Sequence, residues 1–315
     1  MSNISVTDAV KGGKSLRDFL AYCLKESVLA NHLDSSRHHP VITVNALKNI
    51  IGDDVDHPSE ILLKSAYELV KDLPKRSSDS ELLNRASADG LGETAFVSDI
   101  WEKLESGDID TLELEAAKIH LVSDRSPAVF ESLAEYALTN IPEFGSFTYH
   151  VLRAFAFQND PKGSWPFIMC VLGELKKVSV FEMHPGTDHK PREYIGSVVV
   201  NGNQDQWLDL AGAARLWASE YIRTENYHRE ISHWLSTLGE NIPLPPADKK
   251  APELTDFTNS ADSYFIGLAE DVIAKENGLR KIPVLEALRT LARRVSKKGI
   301  PHVEAKIQLF LKSEM

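Results

Sequence analysis

The 315-residue chain contains two cysteines, Cys23 and Cys170, and both sit in apolar runs with helical spacing. That scarcity excludes a disulfide-stapled scaffold and a zinc–thiolate cluster, because free cysteine in such runs behaves as a small buried hydrophobe. No uninterrupted apolar stretch reaches the roughly 18 residues that a membrane span needs. The opening Met-Ser-Asn-Ile-Ser-Val has no basic region followed by an apolar core, so no signal peptide is expected and a cytoplasmic location is. Glycine-rich and nucleophile motifs are missing as well. There is no Gly-x-Gly-x-x-Gly, no phosphate-binding Gly-x-x-x-x-Gly-Lys-Ser/Thr, no Gly-x-Ser-x-Gly and no His-Glu-x-x-His. Dinucleotide-binding, nucleotide-hydrolase, serine-hydrolase and zincin readings therefore have no residues to stand on. Positive charge is in deficit too: 46 acidic residues face 35 basic ones, for a net charge of -11. A field of that sign repels phosphate backbones and anionic lipid, so neither nucleic acid nor membrane is an expected partner.

What is present is the material of a folded helical protein. The hydrophobic fraction is 43% and the charged fraction 26%, enough to bury a sizeable core. Residues 1–13 end in Lys-Gly-Gly and read as a flexible arm. From Ser15, Leu16, Phe19, Leu20, Cys23 and Leu24 recur at helical spacing. A second helical run covers about 43–51, and a third carries the stripe Ile61, Leu62, Ala66, Leu69 and Val70. Further on, Ser126-Pro127 starts a helix with proline where its missing N–H costs nothing. Phe147–Phe157 and Trp165–Leu175 follow across short turns, as antiparallel neighbours in a bundle do.

One region departs from this pattern. Val178–His184 and Tyr194–Val200 are β-branched runs flanking a Pro/Gly turn, and the spacing predicts a small β-hairpin inserted near 178–201. The expectation is thus an all-α, multi-helix bundle with that hairpin insertion. The main helical domain would span 14–240 and a proline-rich connection 241–256. A C-terminal helical segment, 257–315, would dock back on the main domain.

Candidate chemistry clusters in three places. Glu225 and His228 lie three apart, as do Glu230 and His233. The pairs are offset by five positions, ~140° around a helix, so both cannot serve one metal. Glu-x-x-His resembles the ligand motif of ferritin-type di-iron bundles, but a second such helix is lacking. His184, His189 and Glu193 add two imidazoles and a carboxylate able to converge on iron, zinc or manganese. Their order resembles the first metal-binding motif of cupins. Four residues separate the histidines here instead of one, however, and the strands of a barrel are absent. The expected metal set is therefore His184, His189, Glu193, Glu225 and His228.

His150 and Arg153 stand three apart on an otherwise apolar helix, where burial demands partners or a cavity. The block His150-Val-Leu-Arg153-Ala-Phe-Ala resembles the His-containing helix of questin oxidase-like proteins, with the His-to-Arg spacing changed by one residue. These two are the expected catalytic residues, with His120 facing the same pocket. A third cluster, His32, His38 and His39 near Asp34, reads as a surface loop able to hold a metal adventitiously. Two functions follow. One is a metal-dependent or small-molecule-binding enzyme of oxygenase type, with a polar pocket inside the bundle. The alternative is a non-catalytic helical protein that binds a partner or a hydrophobic ligand.

Overall fold

Helices α3 (Pro40–Ile51), α9 (Ile141–Gln158), α12 (Gln204–Trp217) and α15 (Ile282–Ala292) make the centre of the molecule, and α3 shows why. In this computed structural model, residues 5–90, 96–178, 182–241, 263–296 and 299–312 are described. α3 buries Val41, Ile42, Val44, Asn45, Ala46, Leu47, Lys48, Ile50 and Ile51, nearly its whole circumference. A helix apolar on every side belongs in the interior. It packs against α9 and α15, and α12 closes the group against both.

α9 and α12 approach closely through glycine. A Cβ on Gly145 would meet Asp209 Oδ1 of α12 at 3.5 Å, and one on Gly212 would meet Tyr149 Cβ of α9 at 3.2 Å. In the structure Pro142 lies in the first turn of α9, where proline is tolerated, and Gly145 lies inside the helix.

Around this centre, α1 (Val6–Ala9), α2 (Gly13–Val28) and α4 (Glu60–Lys71) cover one side, and Ala9 is buried. α5 (Asp79–Ala88), α6 (Val97–Ser106), α7 (Ile109–Val122), α8 (Ala128–Leu138) and α10 (Trp165–Leu175) form the opposite flank. α11 (Pro191–Asn201), α13 (Thr224–Asn241) and α16 (Ile300–Lys312) pack beyond α12, and α14 (Tyr264–Ile273) lies against α15. The proline-rich connection expected over 241–256 lies, apart from Asn241, outside the described residues.

The protein is all-helical, with 72% helix in 16 α-helices and no strand among the described residues. The one β-pairing there is an isolated antiparallel bridge between Ala30 and Lys75. The expected hairpin is therefore corrected: Tyr194–Val200 lies inside α11 and residues 182–190 are a loop, while 179–181 lie outside the described residues. Local chemistry at both ends favours the helix. Pro191 occupies the first turn, and the Glu193 carboxylate accepts the Lys190 backbone N–H at 3.2 Å. At the other end Asn203 and Gln206 cap α12 reciprocally, so Asn201-Gly202-Asn203 joins two helices. Ile195, Val198 and Val199 then share one buried face. Burial at helical spacing overrides the modest β preference of three consecutive valines. No described helix is long and apolar enough to cross a membrane.

Candidate functional site

The loop between α10 and α11 is strapped to α13. His184 donates from Nδ1 to Glu230 Oε2 at 2.8 Å and its ring stacks on His233 at 3.9 Å. The Thr187 N–H donates to Ser232 Oγ at 2.9 Å, and its hydroxyl donates to the Ser232 carbonyl at 2.7 Å. The expected metal residues are distributed along this strap with separate partners. His189 pairs through Nδ1 with the Tyr194 hydroxyl at 2.7 Å, and Glu193 caps α11. His228 stacks on Trp217 at 3.9 Å and bonds its carbonyl through Nε2 at 3.1 Å. Glu225 is exposed. The structure thus joins His184 to Glu230, which was outside the expected set, and does not gather the five around one point.

Among the described residues, one group of three brings its ligand atoms within 4.8 Å of one another: His32, His39 and Glu174. His39 and His32 belong to the loop read as a surface cluster, but both turn inward, while His38 stays outside beside Asp34. Protonation decides what this group can do. The Val41 N–H at the start of α3 donates to His39 Nδ1 at 3.2 Å, so the ring's proton sits on Nε2, facing Cys170 Sγ at 3.5 Å. Burial holds His39 well below its ordinary pKa, and therefore neutral. Lys177 already bonds both oxygens of Glu174 at 2.8 Å, and His32 Nδ1 lies 3.2 Å from one of them. A metal on His39 Nε2 would need the other His39 tautomer and would share Glu174 with the Lys177 ammonium. The group is a satisfied polar clamp between the loop, α3 and α10.

His150 is buried at 3% exposure, with Nδ1 2.8 Å from the Asn45 amide. Burial, reinforced by Arg215 and Lys48, keeps it neutral. Arg153 lies beside Tyr221 and Lys48, and His120 stacks on Trp165 elsewhere. A polar network continues from this point through the helical centre. Arg215 donates to Tyr149 Oη at 2.7 Å, to Glu286 at 2.8 Å and to Thr290 at 2.8 Å. Asn49 donates to Glu286 at 3.1 Å.

The network ends at a cavity of about 500 Å³ between α2, α3 and the end of α9. Leu16, Leu20, Ile51, Val55 and Phe157 supply apolar walls, and Lys48, Asn49 and Arg17 supply polar ones. The rim is exposed Gly13, Gly52, Val55 and Asp56. Gly12 shapes it from beneath. Its φ of +75° lies in the left-handed region, and a Cβ there would meet the Val55 carbonyl oxygen at 2.9 Å.

Lys48 is 8% exposed, and its Nζ lies 5.0 Å from the centre of the Phe157 ring. The acidic groups that α3 shares with α15 are held by other cations, Glu286 by Arg215 and Asp53 by Arg289. Burial, with Arg153 next, pushes the Lys48 amine down to about 7.

Sequence reasoning missed Lys48. The available signal was one lysine, the single charged residue in the largely apolar run Pro40–Ile51. Neither His150 nor Arg153 lines this cavity. Against known proteins, the chain matches no family model, no curated protein and no solved structure.

Proposed function

We propose that the protein binds a small organic molecule with a largely apolar body in the cavity between α2, α3 and the end of α9. The observation that carries this reading is Lys48: a buried amine, facing an apolar space, with no carboxylate among the described residues ion-paired to it. An uncompensated cation in the interior costs several kcal/mol, so a fold that keeps one there is accounted for by a use. A cavity of about 500 Å³ with few, convergent polar groups has the proportions of a ligand site. Leu16, Leu20, Ile51 and Phe157 would hold the apolar body, while Lys48 and Arg17 would meet an oxygen-bearing end. This is the hydrophobic-ligand alternative; His150 and Arg153, expected to line the pocket of the enzyme reading, are not among the residues lining this cavity.

The test is fluorescence titration with anilinonaphthalene sulfonate, an apolar anion, on the full chain. One saturable site is expected. Val55→Trp at the exposed rim should abolish it without shifting the melting temperature, and Lys48→Met should weaken it. Binding unaffected by either substitution, or no binding, overturns the reading.

A further inference from the structure

The geometry points to Lys48 as an imine-forming nucleophile, so that the ligand class of this cavity includes an aldehyde or ketone with an apolar body. This deepens the ligand reading above and rests on it. A nucleophilic lysine needs a free amine at neutral pH, a bounded space that brings a carbonyl carbon to Nζ, and exclusion of competing water. Lys48 meets the first through its surroundings. Its Nζ lies over Phe157 and amid like charges: Arg17 from α2, Arg153 from α9, Arg215 from α12 and Arg289 from α15. Glu286 is the one acidic group bearing on it from α15, and Arg215 and Asn49 occupy that carboxylate. Exposed Asp56, the acidic group on the rim, lies where the cavity meets solvent. Burial first, and then Arg153, lowers the amine to about 7.

The second condition is met by shape, and the third by the burial of Lys48 itself, which is 8% exposed. Leu16, Leu20 and Ile51 are all buried and line the same space, which leaves room for an alkyl or aryl group beside the amine. The step balances without an oxidant or reductant. The amine lone pair forms a C–N bond to the carbonyl carbon, and the carbonyl oxygen takes up the two amine protons and leaves as water. The product is a C=N bond on Lys48.

The experiment is reductive trapping of the full chain with 2-naphthaldehyde and sodium cyanoborohydride at pH 7, followed by peptide mapping. A surface lysine at that pH is a free amine in roughly one molecule in two thousand, against roughly one in two for Lys48. Lys48 should therefore be labelled at least about tenfold faster than the surface lysines, since lower basicity gives back part of that advantage. Excess anilinonaphthalene sulfonate should suppress Lys48 labelling alone, and so should Val55→Trp. Labelling of Lys48 no faster than the surface lysines overturns the inference. If the fluorophore still binds in that case, the ligand reading stands and only the imine chemistry fails. If it does not, both fail.

Discussion

Asp53 and Arg289, 236 positions apart, form a buried two-point ion pair that ties the end of α3 to α15. Their side chains are 3% and 5% exposed, and Arg289 Nε lies 2.7 Å from Asp53 Oδ2. Arg293 adds a third bond to the same carboxylate at 2.9 Å. Removing one partner of a buried pair strands the other charge. Asp53→Leu is therefore expected to lower stability by about 3–5 kcal/mol, while Asp53→Leu with Arg289→Met should lose much less. Urea unfolding of the three proteins measures this. Equal losses in the single and double variants would show that the pair is not the unit of stability.

Lys48 should carry a pH signature. Its ordinary value of 10.5 falls to about 7 in the fold, so between those values the unfolded chain holds a proton that the native chain has shed. Stability contributed by this group therefore rises as pH rises from about 7 toward 10.5, and the cost of the charged form is fully present below 7. Lys48→Met, which keeps the length and drops the charge, is expected to stabilise the protein by about 1–3 kcal/mol at pH 6.5. The gain should shrink by pH 10. Melting temperatures at both pH values decide the matter, and a gain that does not vary with pH would reject the assignment.

Acid should act through buried imidazoles. Burial lowers His39 and His150 well below 6.5 and His120 to about 4. As pH falls below 6.5 the unfolded chain takes up these protons first, so stability declines from 6.5 toward 4. Asp209 acts in the opposite sense. Burial pushes it up to about 7 against the pull of Arg37, so its native proton makes stability fall as pH rises from 3.8 to about 7. One imidazole can be isolated by substitution. His120→Phe should reduce the acid slope by about 1.4 kcal/mol per pH unit between 4.5 and 6. Denaturant midpoints across that range give the slope directly.

His228 offers a test of its packing role. Stacked on Trp217 and bonded to the Trp217 carbonyl, it joins α13 to α12. His228→Ala is expected to cost about 1–2 kcal/mol. Zinc added in tenfold excess should shift the melting temperatures of the parent and the variant by the same amount. A zinc-dependent rise confined to the parent would instead assign His228 to a metal.

The helical fold was legible wherever period and caps agreed. Phe19, Leu20, Cys23 and Leu24 were read as one face and are buried on α2, and Ser126 caps the Ala128 N–H as its position before Pro127 implied. The hairpin was misread because Val198–Val200 favours strands locally, while the decisive terms were a distant packing face and two caps. His150, expected as a catalytic residue on an apolar helix, is buried against Asn45. Its distance from the cavity could not be read from α9 alone. A helical period says which residues share a face, not which neighbouring helix that face meets.

By itself, then, the amino-acid order determined local matters: helix, turn, the net negative charge, and which motifs of known chemistry are missing. Only the tertiary structure decided that His32 and His39 turn inward to Glu174, and that Asp53 meets Arg289. It alone set Lys48 beside an open apolar space. The reason is physical. Periodicity and capping act over a few residues, whereas a buried charge acquires its meaning from groups that the chain brings near from more than a hundred residues away, as Arg153 is to Lys48.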